Sequence, residues 1–203
     1  EASRRGSATW GKGQTMTDSD EARGVRPAWV DWTLTIAAGV LLALMVRAFV
    51  AEVYVVPSAS MLETIHEGDR LVGEKVSYRL GRPSVGDVVT FNDPDGSGST
   101  LIKRVIAIEG QTIDLRNGTL YVDGVAQSER YVDGRPSYAL TQHAANLEQD
   151  ISYPYTVPKG CVWVMGDNRT NSLDSRYFGA VGVDQVTSRA AFIFWPPSDM
   201  GRL

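Results

Sequence analysis

From Trp32 to Ala51 the chain runs for twenty residues with one charge, Arg47, and the fourteen from Thr33 to Val46 carry none. At about 1.5 Å of rise per residue such a helix is roughly 30 Å long, the thickness of a bilayer's hydrocarbon core. Arg47 lies near one end, where its stem can follow the lipid while the guanidinium reaches the interface. Trp29 and Trp32 stand at the other end, as interfacial aromatic residues do. The pattern predicts a retained transmembrane helix over 29–51. A cleavable signal peptide competes, since an uncharged core of fourteen is short enough for one. Against it, Phe49-Val50-Ala51 is a poor small-x-small cleavage site and Arg47 intrudes. A buried helix of a soluble core competes too, but nothing else in the chain patterns as a helical partner.

The flanks set an orientation. Arg4, Arg5, Lys12, Arg23 and Arg26 precede the segment, and by the positive-inside rule that side is cytoplasmic. Residues 1–28 are rich in Gly, Ser, Thr and charge, with almost no apolar periodicity, and read as a disordered cytoplasmic tail. Residues 52–203 then lie outside. They carry 14 Lys+Arg against 19 Asp+Glu, which gives no reason to expect nucleic-acid binding.

Beyond Ala51 the pattern is short β-branched runs bounded by Gly and Pro. Glu52–Val56, Arg70–Val72, Asp87–Phe91, Thr100–Ile108, Cys161–Met165 and Ala190–Trp195 read as strands. Gln111–Leu115 and Thr119–Val122 flank Asn117-Gly118, a strong hairpin signal. The expectation is an all-β domain of several short antiparallel sheets, with one N-terminal transmembrane helix. Residues 130–157 pattern weakly and read as a surface insertion.

Three blocks bear chemistry. Ser60 lies in Pro57-Ser58-Ala59-Ser60-Met61, where small neighbours let a substrate backbone approach; the plain alternative is a turn with two capping serines. In Leu101-Ile102-Lys103-Arg104-Val105-Ile106 the side chains alternate, so Lys103 and Arg104 point to opposite sides. A lysine buried among apolar residues loses its proton more easily, and a neutral lysine can activate a serine. The third block, Met165 to Arg176, is a polar loop after an apolar strand, in which Asp174 and Arg176 can pair.

Other chemistries find little support. His66 sits in a polar turn without an evident orienting carboxylate, and His143 falls in the weakly patterned stretch. Two dispersed histidines and the single Cys161 offer no metal-ligand spacing. Cys161 itself, in an apolar strand run, reads as a buried structural thiol. There is no phosphate-binding loop or dinucleotide fingerprint, so no cofactor is expected.

In this order the three blocks resemble the signature boxes of the bacterial type I signal peptidases. With Gly68-Asp69 and Gly86-Asp87-Val88-Val89, the resemblance covers most of residues 47–195. It implies a membrane-anchored serine protease on an all-β fold that cleaves secretory preproteins after small residues at the −1 and −3 positions. It further implies Ser60 as nucleophile and Lys103 as general base. The Ser60 amide and the Ser58 hydroxyl would form an oxyanion hole, and Ser172 would orient the lysine. Arg104, Asp167, Asp174 and Arg176 would support the site. The chain departs from the family pattern at Glu63, where Pro is usual, at Leu101, where Tyr is frequent, and at Thr170, where Asp is common. Two rivals are a Ser/Lys self-cleaving domain, for which the N-terminus offers no DNA-binding module, and a tethered β domain that only binds export substrates.

Overall fold

The computed structural model describes residues 27–145, 147 and 151–203. The expected tail, 1–28, lies outside them save for its last two residues. By internal contacts the chain divides after Val40. The helix α1 (Ala28–Phe49) is long and apolar enough to cross a membrane, and none of its side chains is buried. The chain leaves the helix at Val50 and enters a strand at Ala51.

The strands follow as β1 (Ala51–Val55), β2 (Arg70–Glu74), β3 (Val88–Asn92), β4 (Thr100–Ile108), β5 (Thr112–Arg116), β6 (Thr119–Val122), β7 (Val125–Ala126), β8 (Tyr155–Thr156), β9 (Cys161–Met165), β10 (Val181–Gly182), β11 (Val186–Trp195) and β12 (Gly201–Arg202). Two single-turn helices, α2 (Ser77–Leu80) and α3 (Ser175–Phe178), interrupt them. The larger sheet runs β1-β2-β11-β3-β4-β9-β10, with β12 also against β11, and every pairing is antiparallel. The smaller runs β7-β6-β5-β8. Asn117 and Gly118 both adopt positive φ, 50° and 81°, in the β5–β6 turn. Those are the backbone angles that a two-residue hairpin loop with the twist of its strands demands.

Three apolar clusters hold the sheets. One, around Val89, Phe91, Val105, Val164 and Val181, fills one part of the large sheet. A second joins Ile106 and Trp163 to Ile113, Leu120 and Val122 of the small sheet, with Tyr153 and Tyr155 packed against the Trp163 ring. Cys161 edges this cluster and is only partly buried. The third gathers Val56, Met61, Ile65, Leu71, Val88 and Ile102. Met61 and Ile65 are almost wholly buried, so the turn that carries Ser60 is pinned on its C-terminal side by core packing.

The described residues of 130–157 are mostly irregular, and they are not merely superficial. Val132, Ser137, Ala144, Ile151 and Val157 are buried. Their spacing is neither 2 nor 3.6 because turns and one short strand bring them inward, and periodicity does not register that.

Candidate active site

The turn before Met61 is a single 3-10 turn, Ala59–Met61, preceded by Ser58 in extended conformation. Ser58 makes no capping hydrogen bond; its exposed hydroxyl faces Ser60 Oγ at 3.4 Å. The plain reading of two capping serines therefore fails. Among the described residues no group accepts a hydrogen bond from the Ser60 amide.

Lys103 sits in β4 opposite Val89 of β3. Its neighbour Arg104 pairs with Met165, the last residue of β9. Past Met165 the β9 chain leaves the sheet, and the Ser60 turn occupies the space beside β4. Lys103 is 3% exposed. Its Nζ lies 2.7 Å from Ser60 Oγ and 3.0 Å from the carbonyl oxygen of Ile102. Burial is the largest influence on this amine and brings its pKa down to about 8, against opposing pulls from Asp174 and Asp167. Neither carboxylate touches the amine, because each is taken up by an arginine.

Asp167 accepts from Arg104 Nε at 2.9 Å and Nη2 at 2.7 Å, and from Thr64 Oγ1 at 2.5 Å. Arg104 also donates to the Gly86 carbonyl at 3.0 Å. Asp174 receives Arg176 through Nε and Nη2, both at 2.9 Å, and the amide of Gly166 at 3.0 Å. Both arginines and both aspartates are at least nine-tenths buried. Buried charges of this kind persist only when paired and hydrogen-bonded.

The polar loop also clasps the nucleophile turn directly. The Asn168 amide donates to the Ser60 carbonyl at 3.1 Å, and Asn168 Nδ2 donates to the Ala59 carbonyl at 3.0 Å. A side chain at Gly166 would collide with the Ser60 carbonyl oxygen and with Ser172 Oγ, so glycine is required by close approach. Ser172 thus lies beside the dyad, but no hydrogen bond joins it to Lys103. Its buried hydroxyl has no partner among the described residues.

Several members of this network were not legible as site residues. Arg169 is fully buried and grips Glu129 through two nitrogens, at 2.7 and 2.5 Å, and Ser137 Oγ at 2.5 Å. The Tyr131 ring lies 4.2 Å from the Arg104 guanidinium and 5.9 Å from that of Arg169. Glu63, the departure from the family's Pro, pairs with Arg135 at 2.7 Å. The Thr170 hydroxyl donates to Asn168 Oδ1 at 3.2 Å. Only the density of polar residues in 165–176 hinted at such a network; nothing marked its partners 40 residues earlier.

His66 does have a carboxylate against it, contrary to expectation: Asp199 Oδ2 is 3.4 Å from Nδ1. Sequence could not join residues so far apart. His66, Asp69 and Asp199 hold one ligand atom each within 4.8 Å of one another, the one such trio among the described residues. Asp69 Oδ2 already accepts from the His66 amide at 2.8 Å, so a clasp on the C-terminal segment accounts for the cluster. Among the described residues no hydrogen bond links His66 to Ser60.

The arrangement is a hydroxyl against a desolvated amine, beside a free amide and a second hydroxyl, which is equipment for acyl transfer. The signal peptidase, peptidase S26 family matches residues 29–195. The chain is 42% identical over 170 residues to the probable signal peptidase I-1 of Synechocystis sp., spanning 80% of this chain and 81% of that protein. It is 38% identical to signal peptidase I of Bacillus amyloliquefaciens, over 92% and 96% of the two chains. With the thylakoidal processing peptidase 1 of Arabidopsis thaliana it shares 34% identity over 92% of this chain and 58% of that one. The crystal structure of a signal peptidase I from Enterococcus faecalis aligns with a TM-score of 0.44 at 35% identity, covering 54% of this chain and 97% of the other.

Proposed function

Because the chain belongs to the signal peptidase family of serine endopeptidases, which remove signal peptides from secretory preproteins, we propose that its catalysis rests on Ser60 as nucleophile and Lys103 as general base. The observation that carries this reading is the 2.7 Å approach of Lys103 Nζ to Ser60 Oγ with no carboxylate in contact with the amine. Neutral Lys103 takes the Ser60 proton as Oγ attacks the scissile carbonyl. The oxyanion is received by the Ser60 amide and by the Ser58 hydroxyl, which turns to it from its 3.4 Å contact with Ser60 Oγ. The ammonium then gives its proton to the leaving amine. Water, deprotonated by the same lysine, releases the acyl group from Ser60. Ser172 serves as a positioning residue: its unpartnered hydroxyl can hold the amine once a substrate closes the space. Arg104, Asp167, Asp174 and Arg176 keep the frame.

The finer address is also ours. The Arg-rich N-terminus places residues 1–28 in the cytoplasm, 29–51 in the plasma membrane and 52–203 outside it. Ser60 follows Ala51 by nine residues, so at no more than about 3.6 Å per residue it stays within roughly 32 Å of the helix end. Preproteins held by their own apolar signal segments share that plane, which raises their effective concentration. Small residues at −1 and −3 suit the small neighbours of Ser60.

Incubation of the detergent-solubilised chain with a labelled preprotein tests the proposal. Cleavage at the signal-peptide junction is expected, lost in Ser60→Ala and in Lys103→Met. Substantial cleavage by well-folded Lys103→Met would remove lysine from the mechanism and direct attention to His66. Protease added to spheroplasts should digest residues beyond 52 and spare the tail; the reverse pattern would overturn the orientation.

A further inference from the structure

Glu63 stands three residues after Ser60, between groups that are firmly held. Met61 and Ile65 are buried in the core, and Thr64 donates to Asp167. The backbone at this point would accept a proline. Leu62 has φ −58° and ψ 135°, within the extended region to which a following proline confines its neighbour. Among the described residues the Glu63 amide donates no hydrogen bond, so the missing N–H of a proline would cost nothing. This chain has glutamate there instead. It forgoes the fixed φ of a proline between the nucleophile and Thr64, and it gains a carboxylate.

That carboxylate meets Arg135, which belongs to a stretch fixed to the site on both sides. Upstream, Glu129 takes Arg169 and the Tyr131 ring lies 4.2 Å from the Arg104 guanidinium. Downstream, Ser137 Oγ accepts from Arg169, and the Ser137 amide donates to the Gly118 carbonyl at 2.8 Å. Between them the chain closes a turn. The Arg135 amide and Nη1 both reach the Val132 carbonyl, at 3.0 and 3.4 Å. Among the described residues, Glu63–Arg135 is the one ion pair or hydrogen bond between 129–137 and the turn 58–65. With side chains 46% and 23% exposed, such a pair adds little to global stability. Its partners are nonetheless preset, because Tyr131 and Ser137 already order the Arg135 turn.

We infer that Glu63 and Arg135 are positioning residues for the cleavage reaction. Their pair ties the C-terminal side of the nucleophile turn to 129–137, supplying from outside the stiffness that a proline would build into the backbone. Asn168 clasps the same turn through the Ala59 and Ser60 carbonyls. Held from both sides, Ser60 Oγ keeps its 2.7 Å approach to Lys103 Nζ while a substrate enters. A misplacement of a fraction of an ångström at the nucleophile lowers the rate without lowering stability. The inference rests on Ser60 being the nucleophile.

The test uses the full chain in detergent, a peptide spanning a signal-peptide junction, and thermal melting of each variant. Glu63→Gln and Arg135→Gln should each lower kcat by about two- to fivefold, the range open to an exposed pair, with KM and melting near the parent values. Exchanging the charges, Glu63→Arg with Arg135→Glu, should recover most of the loss. In a Glu63→Pro background the turn holds itself, so adding Arg135→Gln should leave kcat unchanged. Parent turnover in both Gln variants would overturn the proposal. So would an exchange variant no better than the single changes, or a fall in kcat matched by a fall in melting temperature. Should Glu63→Pro fail to fold, the exchange variant still decides. Ser60→Ala, measured alongside, keeps the two readings apart: turnover there would sink the nucleophile assignment itself, whereas an inactive Ser60→Ala assigns any failure to the Glu63–Arg135 pair.

Discussion

Lys103 and Arg104 are adjacent on β4, both at least nine-tenths buried, and treated in opposite ways. Arg104 meets Asp167 through two nitrogens, and the carbonyl of Gly86 takes up a third. Lys103 meets a hydroxyl and its own strand's carbonyl. One charge is neutralised by a partner; the other is left to shed its proton. A strand makes this possible because consecutive side chains take opposite sides. The arginine, whose ionisation is effectively permanent, belongs where structure needs a charge. The lysine, whose ammonium gives way to desolvation, belongs where chemistry needs a base.

The largest expected effect breaks the Lys103 side of the comparison. Ser60→Ala or Lys103→Met should each lower preprotein turnover by about a thousandfold or more, and the double variant should be scarcely worse, because the pair acts as a unit. Steady-state cleavage by the three variants checks this; additive losses would mean that the residues work separately.

Stability should then move in opposite directions on the two sides. Arg104→Met leaves the Asp167 carboxylate buried without its main partner, a loss of about 3–5 kcal/mol. Lys103→Met should stabilise. The folded-state pKa of Lys103, about 8, lies below the usual lysine value. Below pH 8 the lysine is protonated in both states, and the full penalty, about 3 kcal/mol at 1.4 kcal/mol per pK unit, opposes folding. As pH rises from 8 toward the unfolded value the folded protein sheds the proton first, and the penalty fades. Denaturant melts at pH 7 and pH 10 should show the Lys103→Met advantage shrinking, while the Arg104→Met deficit persists. An advantage that grew with pH would reverse the sign of the argument.

The same value shapes the rate. Only the neutral amine serves as base, so kcat/KM should rise about tenfold per pH unit below 8 and level off above it. A pH profile of peptide cleavage reads this directly. A limb near 6.5 would implicate a histidine.

Much of this frame was legible beforehand. Thr100–Ile108, Thr119–Val122 and Cys161–Met165 are strands over the expected residues, because β-branched runs between Gly and Pro leave little alternative. Alternation alone put Lys103 and Arg104 on opposite sides. What stayed hidden was long-range pairing among irregular segments. Glu129, Tyr131 and Ser137 join the site through Arg169 and Arg104, and Asp199 reaches His66. A loop's contacts follow from where the folded chain returns, not from local period. Two-residue strands such as β7, β8 and β10 are likewise too short for any period to show.

Ser172→Ala is the smallest perturbation and the finest probe of the Lys103 side. Ser172 Oγ is buried and unpartnered among the described residues, and it crowds Gly166 together with the Ser60 carbonyl. An unmade buried hydrogen bond is unfavourable by about 1–3 kcal/mol, so a hydroxyl with only a filling role should be replaceable by a methyl with no loss, or a gain, in stability. If instead it holds the lysine amine in the substrate complex, Ser172→Ala should lower kcat by about two- to tenfold, one such hydrogen bond being worth roughly 0.5–1.5 kcal/mol, while KM stays near its value. Ser172→Thr, which keeps the hydroxyl, should recover part of the loss if the added methyl can be accommodated. Thermal melting and the split between kcat and KM decide the matter. A variant that melts higher and turns over at the parent rate would make Ser172 a packing residue and leave Lys103 to be positioned by Ser60 and the Ile102 carbonyl alone.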